Sequence, residues 1–192
     1  MRVETVDIDL DNLHLGPPEC LGTVFWELGE AGVEVDPLFH KEEWFSSTLL
    51  EWGRCGKLLR RDGEVLGFTQ YAPPTLFPKL GEFQAGKVSE DAAYLSYCYV
   101  VDGHRERGLG GELIRAVGRD VVDRGYRALE AIADRDWDGG WVLPERFLKR
   151  CGFDVKREDP RFPLMRLDLR SRPVRREAAT AAAIPLPALE GA

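Results

Sequence analysis

Arg105-Glu106-Arg107-Gly108-Leu109-Gly110 concentrates the most legible chemistry of this chain. The stretch lies where an apolar strand, Ala93–Val101, gives way to an amphipathic helix expected over Leu109–Arg124. A glycine-rich turn at a helix start aims several backbone N–H groups at one point, and the positive end of the helix dipole adds to their field. The pattern predicts an anion site, phosphate above all, with Arg105 and Arg107 strengthening the pull. Two nucleotide loops do not fit. G-x-G-x-x-G needs a third glycine where Leu113 stands, and G-x-x-x-x-G-K-[ST], begun by Gly103 and Gly108, runs into Leu109 and Gly110.

Other residues invite chemistry. Glu130, inside Leu129-Glu130-Ala131-Ile132, is a carboxylate in an apolar strand. Such a group either has a raised pKa and serves as a base, or faces solvent on one side of a twisted sheet. Cys98 and His104 do not form a nucleophile pair, because six residues across a strand end point them to different places. Asp134, Asp136, Asp138, Gly139 and Glu145 meet the D-x-D-x-D-G-x5-E spacing of a calcium loop. The preceding strand, Pro144 before Glu145, and Trp141 at the eighth position argue against that use, and no metal is predicted.

These residues need elements to position them. Alternation over Arg2–Leu10 predicts a strand. Helical spacing predicts a helix through Cys20, Leu21, Val24, Phe25 and Leu28, ended by Gly29. A second begins at the Asp36-Pro37 cap and buries Leu38, Phe45, Leu49 and Trp52. Lys57–Arg61 and Glu64–Ala72 form a hairpin about Asp62-Gly63. Thr75–Asp91 reads as a long polar loop. Ala93–Val101 is apolar enough for a central strand covered on both faces, with Tyr94, Ser96, Cys98 and Val100 on one side by alternation. Ala128–Ala133, a helix over Leu143–Cys151, and strands Phe153–Arg157 and Leu164–Leu169 complete a domain over residues 1–169. The Arg/Ala/Pro-rich remainder, 170–192, is expected to be a disordered tail.

The 192 residues are 44% hydrophobic and carry a net charge of −7, enough apolar surface for a core and the wrong sign for nucleic acid. The four cysteines have no metal-ligand spacing and read as reduced thiols of a cytoplasmic protein. Neither a signal peptide nor a membrane-spanning run is visible.

The turn satisfies [Q/R]-x-x-G-x-[G/A], which resembles the acyl-CoA-binding motif of the GNAT (GCN5-related N-acetyltransferase) superfamily. The element order and the helix-to-strand junction Phe147-Leu148-Lys149-Arg150-Cys151-Gly152-Phe153 are similar to the same family. The resemblance implies an α/β (α+β) fold with a mixed, largely antiparallel sheet and helices on both faces. It implies acetyl-CoA as cosubstrate. The amides of Arg105, Arg107, Gly108, Leu109, Gly110 and Gly111 would hold its pyrophosphate, and backbone groups of Val100 and Val101 its pantetheine and thioester. The strand pair 93–101 and 128–133 would splay to admit that thioester. Acetyl would pass directly to a small-molecule or protein amine, which the Asp134–Asp138 carboxylates would attract. Neither membrane nor nucleic acid is an implied partner, and a homodimer is compatible with the fold. The family's usual acid, a Tyr, falls on Leu148 here, and its frequent Asn falls on Trp141. Tyr94, where some members carry a catalytic Glu, then becomes a candidate for substrate contact or proton relay, or else a core aromatic; Glu130 is the candidate base. A non-catalytic acyl-CoA sensor or partner module is the alternative.

Overall fold

The computed structural model describes residues 3–28 and 36–169. Gly29, expected to end the first helix, and the tail expected over 170–192 lie outside them. The elements are β1 (Val3–Asp7), α1 (Pro18–Leu21), α2 (Pro37–Glu51), β2 (Gly56–Arg61), β3 (Glu64–Ala72), β4 (Ala92–Val100), α3 (Leu109–Asp123), β5 (Ala128–Asp134), β6 (Leu143–Pro144), α4 (Glu145–Arg150), β7 (Asp154–Arg157) and β8 (Leu164–Asp168). They build one mixed sheet in the order β1-β2-β3-β4-β5-β8-β7, with β6 beside β5. All pairings are antiparallel except β4–β5 and β5–β6. The β4–β5 pair is parallel because α3 carries the chain back across the sheet between them, as parallel neighbours require. One face packs Phe45 of α2 and Cys20 of α1 over Leu58, Phe68, Tyr94 and Ile132; the other packs Ile114, Val117 and Val121 of α3 over Leu95, Leu129 and Ala131.

Local signals set several elements. Asp36 accepts from the amides of Leu38 and Phe39, so α2 starts on its predicted cap. Asp62 and Gly63 both adopt positive φ, 51° and 87°, the conformation a two-residue hairpin turn demands.

Four expectations change. The helix expected through Leu28 stops at Leu21. Gly22 follows, and Thr23 Oγ1 accepts from the Phe25 amide, a local bond that competes with the helical ladder. Leu38 is exposed, and Lys41 lies on the buried face of α2 in its place. The stretch 75–91 is no polar excursion. Proline-started 3-10 turns at Pro74–Leu76 and Pro78–Glu82 bury Phe77, Leu80 and Ala85, and Trp44 Nε1 donates to the Leu76 carbonyl. The helix expected from Leu143 begins at Glu145, because Leu143 and Pro144 pair with Ala133 and Asp134.

Strand β4 also breaks its alternation. Gln70 pairs with Tyr97 but Tyr71 pairs with Leu95, so Ser96 is a bulge. Tyr94, Tyr97 and Tyr99 therefore share the α2 face, while Leu95, Cys98 and Val100 turn toward α3.

Asp36→Ala should cost about 1 kcal/mol, the usual worth of an N-cap. It should appear as a lower urea midpoint with an unchanged denaturant slope.

Candidate functional site

Strands β4 and β5 stay paired only from Ala92↔Ala128 to Tyr94↔Glu130 and then part. The short β6 follows β5 on the far side of the opening. Val101 donates to the Leu66 carbonyl of β3, at 3.0 Å. Since main-chain groups alternate along an antiparallel strand, those of Val100 point the other way, into the wedge. Val101 was expected to offer its own groups there. Instead its amide extends the β3–β4 ladder and its carbonyl accepts from His104 N at 3.1 Å.

The turn beyond the strand is open at its centre. Among the described residues, no acceptor meets the amides of Arg105, Glu106, Arg107, Gly108, Leu109, Gly110 or Gly111; the α-helical ladder starts with Glu112 N to Gly108 O at 3.1 Å. No side chain among the described residues caps α3. Glu106 and Gly108 take left-handed backbone angles, φ 62° and 79°, and alternation between left- and right-handed residues turns successive N–H groups into a concave nest. A Cβ on Gly108 would meet nothing within 4 Å, so the space above the turn is free. Gly110 has a different reason: its Cβ would stand 2.7 Å from the Phe147 ring, so glycine lets α3 approach α4. Gly111 is on the open side, and Leu109 packs inward on Leu59 and Leu66.

The two arginines differ. Arg105 folds back: its Nε donates to the Val100 carbonyl at 3.0 Å, its Nη2 pairs with Asp102 at 3.1 Å, and its guanidinium lies over Tyr99. It braces the strand end. Arg107 is exposed and makes no ion pair with any described residue. Glu106, whose carboxylate shares this turn, was not singled out by pattern, because nothing in the spacing announces a non-glycine residue at positive φ.

Tyr94 is fully buried. Its ring packs on Trp26 and Phe77, its hydroxyl stands 3.5 Å from the Ile132 amide where the wedge opens, and burial pushes its pKa up. Glu130 is equally buried. It accepts from the Ser89 amide at 2.8 Å and from Arg166 at 2.9 Å, while Arg166 also binds Asp91 and Asp168. Of the two alternatives read for it, base or solvated carboxylate, neither describes this arrangement: both oxygens are engaged, tying β5 to β8 and to the segment before β4. Cys98 is half-buried, desolvation raises its pKa, and its Sγ faces the Gly110 carbonyl at 3.8 Å. Leu148, in the place of the family's Tyr, is buried in the apolar layer under α4.

The aspartate loop is held by arginines. Asp134 accepts from Arg161 and from the Asp136 amide, and Glu145 pairs with Arg135 and Lys149. No three metal-ligating side chains converge among the described residues. Two surface cavities of about 450 and 480 Å³ lie elsewhere, one lined by Trp52, Arg124 and Tyr126 at the far end of α3, the other by Val3, Thr5 and Arg119.

One cluster escaped the sequence. Glu27, Lys41, Gln70 and Tyr97 meet beneath the α2 face. Lys41 Nζ and Gln70 Nε2 (2.9 Å) both donate to Glu27 Oε1, and the Tyr97 hydroxyl lies 3.5 Å from Oε2. No motif links residues drawn from α2, β3, β4 and the turn after α1.

The sequence profile of the acetyltransferase (GNAT) family matches residues 22–153, and the chain belongs to that family. Among curated proteins none is significantly similar in sequence. Solved structures agree in fold. A GNAT-family protein from Desulfovibrio desulfuricans superposes with a TM-score of 0.59 at 18% identity, covering 88% of this chain and 100% of its own. YncA from Salmonella typhimurium, solved with its cofactor acetyl-CoA, gives 0.56 at 14%, covering 90% and 96%. The PaiA N-acetyltransferase of Thermoplasma acidophilum, in complex with coenzyme A, gives 0.53 at 14%, covering 88% and 99%.

Glu130→Ala should destabilise the fold by roughly 1–3 kcal/mol, because the Ser89 amide and one Arg166 contact lose their acceptor in the interior. Chemical denaturation reads this directly. A variant as stable as wild type would free Glu130 for a role beyond structure.

Proposed function

We propose that the chain is an acetyl-CoA-dependent N-acetyltransferase that passes acetyl directly to a small-molecule or protein amine. The observation that carries this reading is the run of unengaged amides from Arg105 to Gly111 opening onto the wedge between β4 and β5. An anion with two phosphate groups fits those amides, the free space above Gly108 and the exposed Arg107. The Val100 N–H, aimed into the wedge, would polarise the acyl carbonyl and stabilise the oxyanion that forms when the amine attacks. Arg105 keeps that strand end in place by gripping the Val100 carbonyl. An alkyl amine, with a pKa near ~10, is mostly protonated at neutral pH, so the site must also accept a proton. Relatives solved with acetyl-CoA or coenzyme A support the choice of cosubstrate. The name of a Brucella melitensis relative, a ribosomal-protein-alanine N-acetyltransferase at 16% identity and TM-score 0.56, supports including peptide amines among the acceptors.

A second reading, an acyl-CoA-binding module without turnover, is favoured by Leu148: an apolar, fully buried side chain stands where the family places its proton donor. Thiol release separates the two, since a sensor binds acetyl-CoA and liberates no free thiol with any amine.

Acetyl-CoA at a hundred times its dissociation constant should stabilise the wild type by about 2.7 kcal/mol, raising its melting temperature. Arg105→Glu combined with Gly108→Asp places two carboxylates at the cradle and should abolish that shift. An equal shift in wild type and double variant would locate the ligand elsewhere.

A further inference from the structure

Resting on the acyl-transfer reading, we propose that Tyr97 is the residue that meets the acceptor amine, and that Glu27 takes the amine's proton through the Tyr97 hydroxyl. The placement follows from the bulge at Ser96. A cosubstrate anchored at the start of α3 reaches the wedge from the α3 side, which leaves the opposite face of the sheet for the nucleophile. Without the bulge, Tyr97 would point toward α3. With it, Tyr97 lies beyond the last residue of β4 paired with β5, buried on the α2 face, the face left to the acceptor. Its ring meets Trp141, on the segment after β5, edge to face at 6.0 Å, so the two aromatic side chains face each other across the wedge.

The groups behind Tyr97 suit a proton relay. Glu27 Oε1 is filled by Lys41 and Gln70, whereas among the described residues Oε2 meets only the Tyr97 hydroxyl, at 3.5 Å. Stability alone gives little reason for such a pair, since burying two charges costs several kcal/mol and apolar replacements of like volume are often neutral or better. Every titratable group facing the hydroxyl has a definite place. Lys41 of α2 lies under the Tyr97 ring, 4.5 Å from its centre, and burial lowers its pKa. Cys20 of α1 is held as a thiol, its pKa pushed up to about 12 by desolvation. Burial, reinforced by Glu27, likewise keeps Tyr97 protonated, as a donor to a carboxylate must be.

The step balances within these groups. The amine nitrogen bonds to the acyl carbon, and the carbonyl electron pair moves to oxygen opposite the Val100 N–H. One N–H proton passes to the Tyr97 oxygen as the phenolic proton passes to Glu27 Oε2. The carbonyl re-forms, the C–S bond breaks and the thiolate leaves. The Glu27 proton then returns through Tyr97 to the thiolate, restoring the carboxylate.

The test is thiol release by the full chain with acetyl-CoA and phenethylamine, spermidine or a peptide beginning with alanine. Tyr97→Phe keeps the ring packing. It should leave the melting temperature and acetyl-CoA affinity unchanged while lowering kcat on the order of 10²-fold, the usual worth of a placed proton acceptor. The residual rate should climb with pH toward the pKa of the free amine. Glu27→Gln strands the Lys41 charge and endangers folding, so the paired variant Glu27→Gln/Lys41→Met accompanies it. That variant should fold and be as slow as Tyr97→Phe. Wild-type kcat between pH 6 and 9 in either Tyr97→Phe or the folded paired variant overturns the relay while leaving acyl transfer standing. A wild type that binds acetyl-CoA and releases thiol with none of the amines removes acyl transfer, and the relay with it.

Discussion

Two parallel strands that separate after three paired residues leave main-chain donors and acceptors facing an opening, and buried groups of that kind demand partners. In this protein the separation of β4 and β5 is built from both sides. Below the opening, Glu130 holds β5 to β8 through Arg166 and reaches the Ser89 amide before β4, so the strands cannot drift apart where they are paired. Above it, β4 is committed to β3 through Val101, and the chain following β5 returns as β6. Tyr94 sits at the branch point, its hydroxyl near the first β5 amide without a strand partner. The opening is thus a fixed feature of the sheet.

The turn after β4 extends the same logic. An uncapped helix start is a liability in a closed protein and an asset where an anion is to dock. Each glycine contributes differently. Gly108 supplies a backbone angle, while Gly110 supplies clearance for Phe147, which locks α4 against α3. The arginines divide the work as well, Arg105 bracing the strand end and Arg107 exposed beside the turn. The open turn is the part of the chain to which we assign the acyl-CoA in the proposed reaction. The acceptor end is individual to the chain: Leu148 and Trp141 replace the family's polar side chains, and a buried carboxylate–lysine pair from α2 and the turn after α1 lies beside the sheet.

Much was legible in the sequence because it is encoded locally. The Asp36-Pro37 cap, the Asp62-Gly63 hairpin and the glycine turn at 105–111 depend on backbone preferences of a few adjacent residues, and those preferences act wherever the segment ends up. The amphipathic period of α3 and the apolar run of β4 were likewise enough to place the strand–turn–helix unit and, through it, the family.

Tertiary contacts decided what local preference left open. The bulge at Ser96 exchanges the faces of Tyr97 and Cys98, and no alternation count reveals it, because a bulge depends on the partner strand. Lys41 occupies a core position because Glu27 and Gln70, distant in sequence, gather there to satisfy it. The calcium-like spacing at Asp134–Glu145 belongs to arginines 161 and 135 for the same reason. The sequence alone determined where the chain turns and which residues shun water. Which polar groups meet in the interior was set by folding, since a buried charge takes its role from the partner that three-dimensional packing brings to it.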